Sequence, residues 1–394
     1  MSLNDTPLSG RIHIAFLGRR NVGKSSLVNA VTGQSLSIVS NVKGTTTDPV
    51  YKSMELLPLG PVVIIDTPGI DDEGELGAQR VKKARQVLAK TDIAILVTDE
   101  FEGLAPQDEE LLGMIREREI PYIVVRNKAD LVNQPYAPLG DEEMRVSANT
   151  SQGIENLKRR LCGLNTGVTA RRLVGDLLLP GDIVILVTPI DGAAPKDRLI
   201  LPQQQTIRDI LDANAIAVIS KETELAHSLD ALAKEPRMVI TDSQVFERVA
   251  DEVPQDIPLT SFSILMARRK GFLETAAAGA RTLDNLHDGD VVLISEGCTH
   301  HRQCEDIGTV KLPGWIRKHT EKKLVFQHTS GGEFPESLRN YSLVVHCGGC
   351  MLNEREIHHR IALARDANVP FTNYGIAIAH MKGILERALK PLLP

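Results

Sequence analysis

At 394 residues, with 42% hydrophobic and 24% charged side chains, the chain is expected to be a soluble protein of two or three domains. A formal net charge of −6 and only 4% aromatic residues argue against a nucleic-acid partner, which needs a basic surface and stacking faces. No apolar run approaches the roughly 20 residues of a membrane helix, and the first residues carry neither the basic nor the apolar stretch of a secretory signal. A cytoplasmic protein without membrane contact is expected, and its five cysteines read as metal ligands or redox groups rather than disulfides.

Residues 11–17 form an apolar run ending in a glycine loop, and a helical pattern opens at Lys24. Short β-branched runs follow at 62–65, 93–97 and 122–125, separated by helical patterns at 77–90 and 107–117. Such runs suit strands of a parallel sheet covered on both faces, so residues 1–166 are expected to form a doubly wound α/β domain. Past a boundary near 166–172, strand-like segments at 182–187, 215–219 and 238–241 bracket helical patterns at 203–213, 222–233 and 243–250. This second α/β unit, over 167–265, has no phosphate loop and no titratable cluster. It reads as a scaffold or homodimerisation module. A third α/β unit spans 266–394, with strands at 291–295, 323–328 and 342–346 and a helix at 353–367. No internal repeat is evident.

Gly18-Arg-Arg-Asn21-Val22-Gly23-Lys24-Ser25-Ser26 contains Gly-x4-Gly-Lys-Ser at a strand-to-helix junction. Such a loop wraps phosphates in backbone N–H groups, its lysine reaches the β- and γ-phosphates, and its serine ligates Mg2+. Asp66-Thr-Pro-Gly69 adds a carboxylate for the metal's water shell and a glycine N–H to sense the γ-phosphate. Asn127-Lys128-Ala-Asp130 offers a carboxylate to the two N–H groups of guanine, which adenine lacks, and Ser147-Ala148 falls where a base-backing loop is expected. These boxes resemble the translation-factor-like small GTPases, and among them the potassium-activated group, over residues 10–165. The resemblance implies GTP hydrolysis with Lys24, Thr46, Asp66 and Gly69 at the reacting phosphate. It also implies Ser25 and Thr46 on Mg2+ and Asn21 on K+. Ile70 stands where many GTPases carry a water-orienting glutamine, so turnover is expected to be slow and to depend on K+, dimerisation or an acidic residue such as Glu73 or Glu75.

Cys298-Thr-His300 and His346-Cys347-Gly-Gly-Cys350 each follow a predicted strand, so a parallel sheet could bring both to one edge. A helix beginning just after Cys350 would lower the pKa of its thiols. Three readings are open from the spacing: a closed zinc site with His300 or His346 as fourth ligand, a Cys347–Cys350 redox pair, or an iron–sulfur cluster on three thiolates. Cys162 reads as a small core residue. With the domain order added, the chain resembles the GTPase scaffold family of [FeFe]-hydrogenase maturation. That resemblance implies a [4Fe-4S] cluster on Cys298, Cys347 and Cys350, with His300, His346 or Glu305 at the fourth position. It further implies a diiron precursor as cargo, and apo-[FeFe]-hydrogenase and two radical-SAM maturases as partners. The expected fold class is α/β: a P-loop GTPase domain followed by two smaller α/β domains, the last carrying the metal-cluster site. The alternative is an RNA- or ribosome-associated GTPase with a structural zinc tail, although the basic pairs Arg171-Arg172 and Arg268-Arg269-Lys270 are short for that role.

Overall fold

The structure is a computed structural model that describes residues 7–33, 49–69, 75–132, 139–164, 171–190, 199–297 and 307–393, without the side chains of 75–81. It divides into two compact units, Met1–Val168 with Asn353–Glu356, and Thr169–Leu352 with Ile357–Pro394.

The first unit is built on a six-stranded sheet. Its strands are β1 (Ile12–Leu17), β2 (Val50–Leu56), β3 (Gly60–Asp66), β4 (Ile93–Asp99), β5 (Tyr122–Asn127) and β6 (Glu143–Arg145), in the order β2-β3-β1-β4-β5-β6. Only β2 runs antiparallel to its neighbour. Along β1, Ile14 and Phe16 enter one apolar cluster, and Ala15 and Leu17 enter another on the opposite face. Burial on both faces is why this strand reads as a continuous apolar run rather than an alternation. The chain passes from β1 to β3 on one side and then to β4 on the other. The end of β1 is therefore a topological switch point, where open α/β sheets bind ligands.

The second unit holds two four-stranded, all-parallel sheets. One has the order β10-β9-β7-β8, from β7 (Ile183–Val187), β8 (Ile216–Ser220), β9 (Met238–Thr241) and β10 (Leu259–Ser261). The other has the order β12-β11-β13-β14, from β11 (Val291–Glu296), β12 (Val325–Ser330), β13 (Leu343–His346) and β14 (Phe371–Asn373). A single apolar cluster runs through both, from Ile185 and Val239 to Leu293, Val344 and Phe371.

The two sheets repeat one topology, against the expectation of no internal repeat. In each, the first strand lies between the second and third, and the fourth pairs with the third. Local details repeat too. Gly181-Asp182 and Gly289-Asp290 turn into the first strand, with φ of 81° and 88° at the glycines. Pro258 and Pro370 each accept a hydrogen bond of 2.9 Å, from Val239 and Val344 respectively. The fourth strand then ends on a polar N-cap, Ser261 accepting from the Ile264 N–H and Asn373 from the Ile376 N–H, before an apolar helix (Phe262–Arg269 and Tyr374–Met381).

Candidate functional site

The loop after β1 is shaped by glycines whose replacement would displace a neighbouring carbonyl or the Asn127 amide. Gly18 has φ +137°, and a Cβ there would lie 2.2 Å from the Val97 carbonyl oxygen. Gly23 has φ +89°, and its Cβ would meet the Asn127 amide at 2.3 Å. Asn21 also takes a positive φ, 61°, which asparagine tolerates better than most residues. Lys24, buried at the start of helix Lys24–Thr32, turns its ammonium onto the carbonyls of Gly18, at 2.9 Å, and Arg19. Ser25 donates to Asp66 Oδ2 at 2.7 Å. The hydroxyl expected on Mg2+ and the carboxylate expected in its water shell thus meet directly, and this donor set fits the metal. Ser26 follows in the same first turn. Gly69 passes so close to the loop that a Cβ would lie 2.6 Å from Arg20 Cα.

The base-recognition segments converge on the same loop. Asn127 donates from Nδ2 to the Val22 carbonyl (2.9 Å) and accepts at Oδ1 from the Ala148 N–H (3.0 Å), which joins three segments through one buried amide. Lys128 pairs with Asp99 at 2.7 Å, and the buried Ser147 hydroxyl accepts from the Thr150 N–H at 3.1 Å. Burial would raise the Asp99 carboxyl, but hydrogen bonds from Lys128 and the Phe101 N–H outweigh it and hold it below its usual value. Asp130 is half-buried at the end of this segment. Missed from sequence was the anchoring of Arg19, which meets the fully buried Asp108 and the exposed Glu102, each at 2.9 Å. Those partners lie far along the chain, and no local motif signals them. Thr46 with the rest of 44–48, Ile70 and Glu73 lie outside the described residues. Cys162 is half-buried beside the Leu57 carbonyl rather than in the core.

The strand that leads toward the first cysteine motif and the strand that leads into the second end side by side at the carboxyl edge of the third sheet. β11 and β13 are parallel neighbours, with Ser295 opposite His346. Just beyond them, the Gly297 N–H donates to Cys347 Sγ at 3.1 Å. Gly349, at φ +62°, turns the Cys347–Cys350 loop back, and its N–H also donates to Cys347 Sγ at 3.3 Å. Lys270, 6% exposed, reaches this loop from the neighbouring helix and donates to the carbonyls of Gly349 and, at 2.6 Å, Leu352.

Both thiols sit above their usual pKa. Burial raises Cys347 against the pull of the Gly297 and Gly349 N–H groups, and burial raises Cys350 against the charge of Lys270. This corrects the expectation of helix-lowered thiols: the following helix opens only at Glu354, too far on for its N-terminus to serve Cys350. Two thiols on one glycine turn, N–H groups aimed at sulfur and a lysine behind the loop fit an anionic thiolate-bound metal or cluster.

His346, one of three candidates for the fourth position, has both ring nitrogens engaged within the protein. Its ring is wholly buried, Nδ1 donates to the Cys347 carbonyl (2.7 Å), and Nε2 accepts from Arg360 (3.0 Å). Burial and the Arg360 charge lower its pKa to about 3, so the ring is neutral. Arg360, 1% exposed, also donates to Ser295 Oγ and the Gly331 carbonyl and lies over the Phe334 ring. Cys298, His300, Cys304 and Glu305 lie outside the described residues.

Three family models match the chain. The 50S ribosome-binding GTPase model covers residues 13–128, the hydrogen maturase F dimerization domain 173–271, and the hydrogen maturase F tetramerization domain 274–391. Among curated proteins, the GTPase Der of a Nitratiruptor species is 39% identical over 131 residues, 32% of this chain and 28% of that protein. The tRNA modification GTPase MnmE of Chromobacterium violaceum is 34% identical over 155 residues, 38% of this chain and 34% of that protein. The chain thus spans only about a third of the length of these relatives. Among solved structures, an Era variant of Aquifex aeolicus bound to GDP and AlF4− is 22% identical with a TM-score of 0.35, covering 53% of this chain and 92% of that one.

Proposed function

We propose, from the premise that the chain belongs to the hydrogen maturase F family, that it is a GTP-hydrolysing scaffold of hydrogenase maturation. In this reading it binds a [4Fe-4S] cluster and delivers a diiron precursor to apo-[FeFe]-hydrogenase. The observation that carries the reading is the Gly297 N–H to Cys347 Sγ contact, which sets the last described residue before one cysteine motif against a thiol of the other in a chain that also owns a complete phosphate loop. Lys24 would neutralise the β- and γ-phosphates, and Ser25, Thr46 and Asp66 would hold Mg2+ with its water shell. Gly69 would sense the γ-phosphate, and Asn21 would take K+. Asn127, Lys128, Asp130, Ser147 and Ala148 would hold guanine.

Cys298, Cys347 and Cys350 would hold the cluster, which when bound supplies an iron with an exchangeable coordination position. With both nitrogens of His346 engaged, His300 and Glu305 are the favoured candidates for that position, and His346 orients the Cys347 carbonyl. The proposed division into 1–166, 167–265 and 266–394 assigns GTP turnover, homodimerisation and cluster binding in that order. Edge strand β8 supports the second role, since Ile216 and Ile219 on it are each about half exposed. A K+-stimulated, slow GTPase in the cytoplasm would time partner exchange with two radical-SAM maturases rather than drive the diiron chemistry.

The test is a transfer assay. Protein loaded anaerobically with cluster and a synthetic diiron complex should activate apo-hydrogenase, and the Cys347→Ser chain should not. Activation by the Cys347→Ser chain would refute the cluster role. A colourless protein with one zinc per chain would favour the ribosome-associated reading instead.

A further inference from the structure

Outside the nucleotide and cysteine sites, the described residues contain one group of three metal-ligating side chains whose ligand atoms lie within 4.8 Å of one another: Asp284, His319 and His380. We infer that these residues form a binding site for one divalent transition-metal ion of the zinc class. The three come from separate elements, the 3-10 turn Thr282–Asn285 and the helices Leu312–Thr320 and Tyr374–Met381. The carboxylate already draws the two imidazoles together by the same ring atom. His319 Nε2 lies 2.8 Å from Oδ1, and His380 Nε2 lies 3.0 Å from Oδ2. The rings stand 5.7 Å apart at 66°, edge-on rather than stacked, with both Nε2 atoms turned to the one carboxylate.

Exposure is graded as an open site requires. The His380 and His319 side chains are 16% and 25% exposed, and Asp284 is 54% exposed, so solvent could complete the coordination on one side. Both helices are fixed from beneath, one by Leu312 and Ile316, the other by Ile376, Ala377 and Ile378. Two imidazoles with a single carboxylate suit Zn2+ or Fe2+ rather than Mg2+ or Ca2+, which ask for oxygen alone. On binding, each imidazole loses to solvent the Nε2 proton it gives the carboxylate, carries its single proton on Nδ1 by exchange with solvent, and gives the Nε2 lone pair to the ion. The ion then replaces two hydrogen bonds as the tie between three elements of the domain, and it stabilises the folded chain by mass action.

The experiment uses the full-length, tag-free and nucleotide-free chain with its thiols blocked by iodoacetamide and its fold checked by circular dichroism. It is titrated with Co2+ and then with Zn2+ in competition. Expected is one Co2+ per chain with the weak visible bands of nitrogen and oxygen ligands, displaced by Zn2+, with a melting temperature that rises with metal. Asp284→Asn, His319→Gln and His380→Gln should each weaken binding at least about tenfold and leave GTP turnover unchanged. A chain that binds no Co2+ overturns the assignment, and so does a Co2+ spectrum and affinity untouched by all three substitutions. Neither result depends on the iron–sulfur reading, because the thiols are blocked.

Discussion

The two sheets of the second unit place different chemistry at equivalent positions. After β9 the Asp242 N–H donates to the Val187 carbonyl of the central strand, and after β13 the Cys347 N–H donates to the Ser295 carbonyl in the same way. Each residue then receives an N–H from two residues on. Asp242 Oδ1 accepts from Gln244 at 2.9 Å, and Cys347 Sγ accepts from Gly349 at 3.3 Å. Sulfur thus stands where the sister sheet has a carboxylate closing a turn. What separates the sheets is a substitution in one loop, not a different scaffold. The cysteine loop is chemistry grafted onto the carboxyl edge of a repeated frame.

The sharpest way to break this comparison is to exchange the acceptor. Cys347→Asp should keep the turn and fold cooperatively, yet retain less than about a tenth of the wild-type iron and sulfide, because it removes one of the three thiolates of the proposed cluster. Asp242→Ala in the sister loop should leave metal content unchanged and cost about 1 kcal/mol in urea unfolding, as lost caps do. Iron lost equally from both variants would mean that the loops are not independent.

Next in size is the buried support beneath the cysteine loop. Arg360→Met removes the guanidinium that binds His346 and the Gly331 carbonyl, and it should cost about 3 kcal/mol by chemical denaturation. Lys270→Met should cost about 2 kcal/mol, because two carbonyls of the loop lose their donor. It should also speed amide exchange over 348–352 while exchange in the Asp242 loop is unchanged. Smallest are the paired caps. Ser261→Ala and Asn373→Ala should each cost about 1 kcal/mol, and near-equal losses would sharpen the equivalence of the two sheets.

The parts legible in the sequence are those where chemistry or burial imposes local pattern. The phosphate loop needs Gly18 and Gly23 at fixed spacing because both take positive φ and a Cβ would strike the Val97 carbonyl at one and the Asn127 amide at the other, and β1 reads as an apolar run because both its faces are covered. The repeat was present as Gly-Asp-Ile-Val against Gly-Asp-Val-Val, and as Ile-Pro-Leu-Thr against Val-Pro-Phe-Thr. It escaped notice because β10 and β14 have three residues each, too short to show a period. The role of His346 was illegible for another reason. A histidine between a strand and two cysteines has the spacing of a ligand, and only the burial of Arg360, fourteen residues on, reveals that its ring is already engaged. The direction of the thiol pKa values was missed because it depends on where the next helix starts, and Glu354 is too far along.

In the proposed function, the edge of the third sheet holds an iron–sulfur cluster in a GTP-binding chain. The most direct test of this is metal and sulfide analysis, with EPR on reduction, of the anaerobically reconstituted full-length protein beside Cys347→Asp. A brown wild type with iron and sulfide in a ratio of about one, an EPR signal on reduction, and a colourless folded variant are the predicted result. A wild type that takes up zinc through the same thiols and gives no EPR signal would contradict it.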